Sequence, residues 1–137
     1  MVVRATLSLF GAAAVLTCHS FIAQAAPYMI VGDDQKQSWD ANGKPVLMPP
    51  GKDNVLIVDL ANPLSPKIVA NLPLKNSVVG PPVNLAIDPT DSMALVADSI
   101  NVVDDNGKLK SVPDNKIYVI DLKSKPAKLA ATLDGAK

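Results

Sequence analysis

Short runs of apolar residues recur along residues 28–134 and are separated by clusters of Pro, Gly, Asn and Asp. The runs are rich in Val, Ile, Leu and Tyr, as β-strands are, and the separating residues are typical of turns. The clearest runs are residues 55–58 and 117–120, which carry no charged side chain. No stretch keeps an apolar period near 3.6 residues, so no helix is expected. The pattern predicts an all-β protein.

The strand pattern occurs twice in the same order. Four segments of the first half match four of the second, namely 28–34 with 93–99, 40–44 with 104–108, 54–60 with 116–122, and 66–72 with 126–133. The matches include a shared Asn-Gly-Lys turn and a shared Val/Ile-Asp-Leu ending. An ordered set of matches at a near-constant offset predicts two copies of one structural unit.

Each unit is expected to be an antiparallel sheet. In the second unit, residues 83–134, four strands named a to d are predicted at 83–87, 94–98, 116–122 and 128–133. The first unit, residues 28–73, supplies only strands b, c and d. Long insertions between strands b and c cover residues 35–53 and 100–115. Because the c strands are apolar on both faces, we expect both of their faces to be covered.

Stacked four-stranded antiparallel units with buried faces are typical of β-propeller blades. Residues 28–134 resemble the YVTN-type repeats of bacterial secreted propellers, whose relatives include lactonase-like seven-bladed proteins. The resemblance is carried by the sequences AIDP, LVAD, IYVIDL and LAATL, which occupy residues 86–89, 95–98, 117–122 and 129–133. It implies an incomplete propeller of about two blades over residues 26–137, an N-terminal fragment completed by the remaining blades of a longer chain. The alternative is a small, complete β-sandwich of about seven strands.

The N-terminal segment has the three parts of a secretory signal peptide. Arg4 supplies the positive region, residues 5–17 form an apolar core, and Ala23-Gln24-Ala25 is a small-residue cleavage site. We therefore predict a signal peptide over residues 1–25 and a periplasmic or secreted mature protein with no membrane span. A membrane anchor needs about 20 apolar residues, which this core lacks. A lipoprotein acylated at Cys18 is disfavoured by the residues that precede it.

The amino-acid composition excludes several kinds of catalytic, metal and nucleic-acid-binding site. The sequence contains no Glu, and its only Arg, Cys and His residues lie in the predicted leader. The mature chain therefore has neither a Cys–His nor a Ser–His catalytic pair and no His/Cys zinc site. Thirteen basic and thirteen acidic residues are interspersed, without the basic stripe that nucleic-acid binding requires. The lysines are predicted to lie at solvated strand edges.

A binding site is expected at the propeller face that carries the d–a and b–c connections. Ligand-binding candidates there are Asn84, Asp98, Ser99, Trp39 and Asp40. A Ca²⁺ site would use Asp33, Asp34 and Asp98, since Ca²⁺ prefers oxygen ligands. The simpler interpretation is that these Asp residues form turns, and that Trp39 packs its insertion onto the blade.

The predicted function is that of an exported binding module. It offers its loop face to a protein or small-molecule ligand and performs no catalysis of its own. The alternative is part of a lactonase-like, metal-dependent hydrolase in which Asn84 and Asp98 contribute to the metal. The absence of Glu counts against the hydrolase, because the resemblance implies carboxylates gathered from several blades.

Overall fold

The computed structural model describes residues 27–77 and 84–135, which are entirely β-strands and connections. The strands are β1 (Tyr28–Asp33), β2 (Gln37–Trp39), β3 (Pro45–Leu47), β4 (Asn54–Asp59), β5 (Lys67–Leu72), β6 (Leu85–Ile87), β7 (Met93–Asp105), β8 (Lys108–Asp121) and β9 (Lys128–Asp134). The prediction of an all-β, antiparallel protein is confirmed. Within the described ranges there is no helix of the length and apolarity needed to cross a membrane. The predicted signal peptide lies outside these ranges.

Two antiparallel sheets are formed, each by strands in chain order. The first has the order β1-β4-β5 and the second β6-β7-β8-β9, while β2 and β3 form a separate hairpin. These strands cover the positions expected for strands b to d of the first unit and a to d of the second, and β7 and β8 extend beyond them into the predicted insertion. Strand a was predicted to begin at residue 83, which is not described, and β6 begins at Leu85.

Aspartates close the turns that follow the c strands. Asp59 Oδ1 accepts a hydrogen bond from Ala61 N at 2.7 Å, and Asp121 Oδ1 accepts one from Lys123 N at 2.9 Å. These side chains satisfy backbone donors that the sheet leaves unpaired, as expected for Asp at turns. The equivalent turn residue in each unit thus makes the equivalent hydrogen bond.

The core lies between the two sheets, which pack face to face. Val55 and Ile57 of β4 are fully buried against residues of the second sheet, among them Ala94, Val96 and Ile120. Strand β1 lies against β6, and β5 lies against β9. The strands of the two sheets therefore follow one another in the same order across the core, rather than in opposite order.

The pairing register of the central and outer strands is equivalent in the two units. In the first sheet Ile57 pairs with Ala70, and in the second the equivalent Val119 pairs with Ala131. Immediately after each of these pairs the register shifts by a β-bulge. A bulge inserts one extra residue and bends the strand, so the outer strand of each sheet carries the same bend at the same place.

The face turned toward the core is opposite in the two units. Val55 and Ile57 are buried in the core, whereas their equivalents Ile117 and Val119 are half-buried on the outward face of the second sheet. Conversely, Ala94 is buried in the core, and its equivalent Met29 is 42% exposed on the outward face of the first sheet. Within the described ranges, each c strand therefore has one face covered by a sheet, not the two that were expected.

The two b–c insertions fold differently from each other. In the second unit, strands β7 and β8 continue past residues 98 and 116, where the sequence predicted an end and a start, and pair as far as Asp105 and Lys108. Asn106 and Gly107 form the turn with positive φ values of 56° and 82°, the conformation of a two-residue hairpin turn. In the first unit the insertion instead forms the short hairpin β2–β3.

Candidate functional site

The end of the sheets where β1 finishes and β4 begins is called the loop end here. It carries both insertion hairpins and the connector that leaves β5, of which residues 73–77 are described. Strand β3 lies against β8, so the two hairpins are neighbours. This end collects the candidate residues, and a network of buried polar side chains lies beneath the hairpins.

Lys36 is the centre of the first part of this network. Its side chain is 4% exposed, and its ammonium group donates to Asp53 Oδ2 and to the carbonyl oxygen of Asn76, with Asp34 Oδ1 at 3.2 Å. Burial alone would lower the pKa of Lys36, but the hydrogen bond to Asp53 and the charge of Asp34 outweigh it and raise the pKa. The prediction that the lysines are solvated is wrong for this residue.

Asn76 fastens the connector to the first sheet. The residue is fully buried, and its side-chain nitrogen lies 3.1 Å from the carbonyl oxygen of Asn54. Its Oδ1 atom approaches Gly32 so closely that a Cβ atom on Gly32 would lie 2.7 Å away. Only glycine fits beneath Asn76 without a shift of one of the two residues.

Ser77, the next residue, is the centre of the second part of the network. Its hydroxyl accepts a hydrogen bond from Ser99 N at 2.6 Å and lies 3.3 Å from Asp98 Oδ1, to which it donates. Asn84 donates to the carbonyl oxygen of the same serine at 2.5 Å. Three predicted ligand-binding residues, Asn84, Asp98 and Ser99, are thus brought together, but by a serine that the sequence analysis had not singled out.

Asp98 is buried, with 1% of its surface exposed, and it shares a donor with a second carboxylate. Asn101 Nδ2 lies 3.0 Å from Asp98 Oδ2 and 2.6 Å from Asp114 Oδ2. Burial raises the pKa of Asp98, and the charge of Asp114 adds to the effect, while Lys36 opposes it. The carboxyl group of Asp98 is thus shielded from ligands and ties β7 to the connector through Ser77, while Asn101 ties β7 to β8 through Asp114.

The three residues predicted to bind Ca²⁺ have separate partners. Asp33 Oδ2 accepts from Gln35 Nε2 at 2.7 Å, Asp34 lies beside Lys36, and Asp98 belongs to the Ser77 part of the network. Over residues 27–77 and 84–135, no group of three His, Cys, Asp or Glu side chains has an arrangement that could hold a metal ion. The Ca²⁺ site stays a prediction.

Trp39 and Asp40 lie at the outer end of the β2–β3 hairpin. Asp40 Oδ1 accepts hydrogen bonds from Asn42 N at 2.8 Å and Lys44 N at 2.9 Å, so this carboxylate has the turn-forming role that was the simpler interpretation. Trp39 is 63% exposed and pairs with Pro45 across the hairpin. The ring therefore does not pack the insertion onto the sheet, and it is available as a contact surface.

Further apolar side chains of the first insertion are exposed on the same hairpin. Val46 and Met48 are exposed on and just after β3, and Val46, which pairs with Ser38, lies on the face opposite to Trp39. The sequence signal that marks them is the apolar segment PVLMPP at residues 45–50. Scattered exposed apolar residues are ordinary, so the exposed tryptophan, a residue type enriched at binding hot spots, is the stronger mark of an interaction surface.

A small cavity lies between the two hairpins at the loop end. It has a volume of about 10 Å³ and is lined by residues of both hairpins together with Lys36 and Ser77. Larger cavities of about 310 and 510 Å³ lie at the opposite end, where Tyr28, Leu122 and Lys125 line both. Neither of these contains a predicted site residue.

The geometry therefore separates two kinds of residue at the loop end. The buried residues Lys36, Asp53, Ser77 and Asn101, with the half-buried Asp114, form a network that the sequence analysis did not select, whereas Trp39 is exposed. Comparison with known proteins adds no assignment to either group: no protein-family model, no curated protein and no solved structure matches this chain.

Proposed function

We propose that this chain contributes consecutive blades of a β-propeller and binds a polypeptide partner through its loop end. The reversal of the core-facing side between the units supports the propeller. In tandem stacking, the back of one unit packs on the front of the next, so equivalent residues alternate between inward and outward positions. Ile57 inside and its equivalent Val119 outside follow this rule.

A closed sandwich related by a two-fold operation would bury equivalent residues of both units in one core. It would also leave polar residues on the outward faces, because sandwich strands alternate. The outward face of the second sheet instead carries Leu95, which is 39% exposed, Ile117 and Leu133. The sequential pairing of β6 to β9, without a crossover between the sheets, also favours tandem units.

The binding proposal is carried by the exposure of Trp39. Small-molecule sites are usually cavities of about 300–1,000 Å³, whereas the cavity described between the two hairpins is about 10 Å³. An exposed tryptophan, paired with Pro45 across its hairpin, is instead suited to an apolar patch on a protein or peptide. The predicted leader supports the periplasm or the extracellular medium as the place of binding.

The hydrolase alternative has no comparable support. Its two proposed metal contributors, Asn84 and Asp98, are hydrogen-bonded to Ser77, and Asp98 is buried. We therefore do not propose catalysis.

Selection of peptides on the purified chain tests the binding proposal. A phage-displayed random peptide library is selected on the wild type, and affinities of the enriched peptides are measured with the wild type and with Trp39→Ala. Because truncation of a central aromatic residue typically costs about 2 kcal/mol or more, we expect affinity to fall at least about tenfold. Since Trp39 is the only tryptophan, its emission should also shift when a peptide binds.

Leu64→Ala is the matched control, because Leu64 is 95% exposed in the β4–β5 connection, away from the loop end. It should leave affinity unchanged. Peptides that bind Trp39→Ala as tightly as the wild type would refute the proposed surface.

A further inference from the structure

Two apolar sheet faces have no covering sheet among the described residues. The back face belongs to the second sheet and comprises Leu95, Ala97, Ile117, Val119, Ala131 and Leu133. The front face belongs to the first sheet and comprises Met29, Val31, Leu56, Val58 and Ile68. Leu133 and Ile68 are exposed on their respective faces, while Val58 in the central strand is buried.

Each open face is the repeat equivalent of a face that is already packed. The back face corresponds to the side of the first sheet that enters the core, with Ile117 in place of Val55 and Val119 in place of Ile57. The front face corresponds to the core side of the second sheet, where Ala94 stands in place of Met29. The apolar character is kept in each of these three pairs.

Small residues also occupy equivalent positions in the two sheets. Gly32 lies in the first sheet beneath the connector and is paired with Val55, and the equivalent Ala97 is paired with Ile117. Equivalent strand pairs and bulges bend the outer strand of each sheet at the same place. The open back face is thus similar in side chains and in strand register to a surface that already packs a sheet of this kind.

We infer that the back face of one chain binds the front face of a second copy of this chain, in a head-to-tail arrangement. The inference rests on the tandem stacking proposed above. It names the front face of another copy as the occupant, because the core between the two sheets is itself a packed example of that pairing. The contact is heterologous, with different surfaces on the two partners, and repeating it yields a closed ring if the rotation closes.

Ring closure limits the number of copies. Propellers contain typically four to eight sheets. Two such sheets are described in each copy, so rings of two to four copies would fall within this range. Every copy in such a ring would carry its loop end on the same side, so the Trp39 surfaces would be presented together.

The test uses two variants, each of which blocks one face. Leu95→Asp places a carboxylate on the back face, and Met29→Asp places one on the front face. Both sites are about 40% exposed, so each substitution should be tolerated in the folded chain. By light scattering after size exclusion, the wild type should be oligomeric at micromolar concentration, and each variant alone should be monomeric.

The decisive measurement is the equimolar mixture of the two variants. In this mixture, Leu95→Asp keeps an intact front face and Met29→Asp keeps an intact back face. The two variants should therefore form a heterodimer and nothing larger. A two-fold contact between back faces predicts the opposite, since Met29→Asp alone would still dimerise and the mixture would gain no new species. A wild type that is monomeric throughout would also overturn the inference.

Leu64→Asp is the control, because Leu64 belongs to neither face, and its mass should match the wild type. If circular dichroism shows that either first variant is unfolded, Leu133→Asp and Ile68→Asp replace them at more exposed positions of the same faces. If the head-to-tail contact is refuted, the test of Trp39 still applies, because peptide binding is measured at the loop end and does not depend on assembly.

Discussion

Asp98 is a carboxyl group that the fold holds in an environment unfavourable to its charge. Its hydrogen bonds come from Ser77 and Asn101, and Asp114 competes for the second of these donors. Because burial raises the pKa of Asp98, folding favours its protonated form. The stability that protonation provides is therefore fully present below the ordinary Asp pKa of about 3.9 and is lost as pH rises through the higher folded-state pKa.

Asp98→Asn should remove this dependence, because an amide keeps the shape of the side chain without its charge. Urea unfolding of the two proteins from about pH 4 to 7 gives the free energies of unfolding. We expect the variant to gain stability relative to the wild type as pH rises across this interval. Asp105→Asn, at an exposed surface ion pair, is the control and should show no such trend. A constant difference between Asp98→Asn and the wild type would contradict the assigned pKa direction.

For single residues, the sequence predicted which side chains lie at the loop end better than it predicted whether each side chain is buried or exposed. It marked Asp98, Ser99 and Asn84 as neighbours at one end of the strands, and the structure brings them together around Ser77. It placed Lys36 in solvent, because nothing in the sequence shows that Asp34, Asp53 and the Asn76 carbonyl converge on one ammonium group. Burial of a lysine depends on partners that are distant along the chain.

The tip of the β7–β8 hairpin carries a glycine in the left-handed backbone region. Gly107 has a φ of 82°, and a Cβ atom there would meet nothing within 4 Å. Gly107→Ala should therefore destabilise the protein through backbone strain alone, by about 1 kcal/mol. Urea unfolding measures the loss, with Lys108→Ala as the neighbouring control. No loss for Gly107→Ala would mean that the hairpin tip does not contribute to the folding transition.

Strand positions were predictable because each core strand is a short apolar run bounded by turn residues. The strands of the insertions were harder to predict. Polar and apolar residues are mixed in residues 100–115, and this pattern does not indicate which side chains are buried. Their pairing as an extension of β7 and β8 follows from the Asn106-Gly107 turn, which fixes the register of the flanking residues. The matching Asn42-Gly43 pair of the first unit lies in a longer turn that Asp40 closes, and the hairpin there stays separate from the main sheet.

Across the whole molecule, equivalent residues of the two units have different energetic roles. Ile57 is fully buried, and its replacement by Ala should cost about 2–5 kcal/mol. Val119→Ala, on the open back face, should lower the free energy of unfolding of the isolated chain by less than half of that value. Urea unfolding at low protein concentration compares the two. Equal losses would indicate that the back face is covered within a single chain.

The sequence revealed the duplication and the strand order but not which side of each sheet faces the core. That choice is invisible in the c strands, because residues 55–58 and 117–120 are apolar on both sides. Only the packing of Ile57 inside and Val119 outside distinguishes the two sides, and it supports the proposed tandem stacking. The same ambiguity left the sandwich open as an alternative when the sequence was considered alone.

The bulges after Ile57 and Val119 have a consequence for how a unit of this kind can be recognised. The irregular pairing is the same in both units, although the residue before it is Ile in one and Val in the other and the insertions differ in conformation. The course of the main chain is thus a more constant mark of the unit than its residue types. Any additional member of the series should be sought by that kink in its outermost strand.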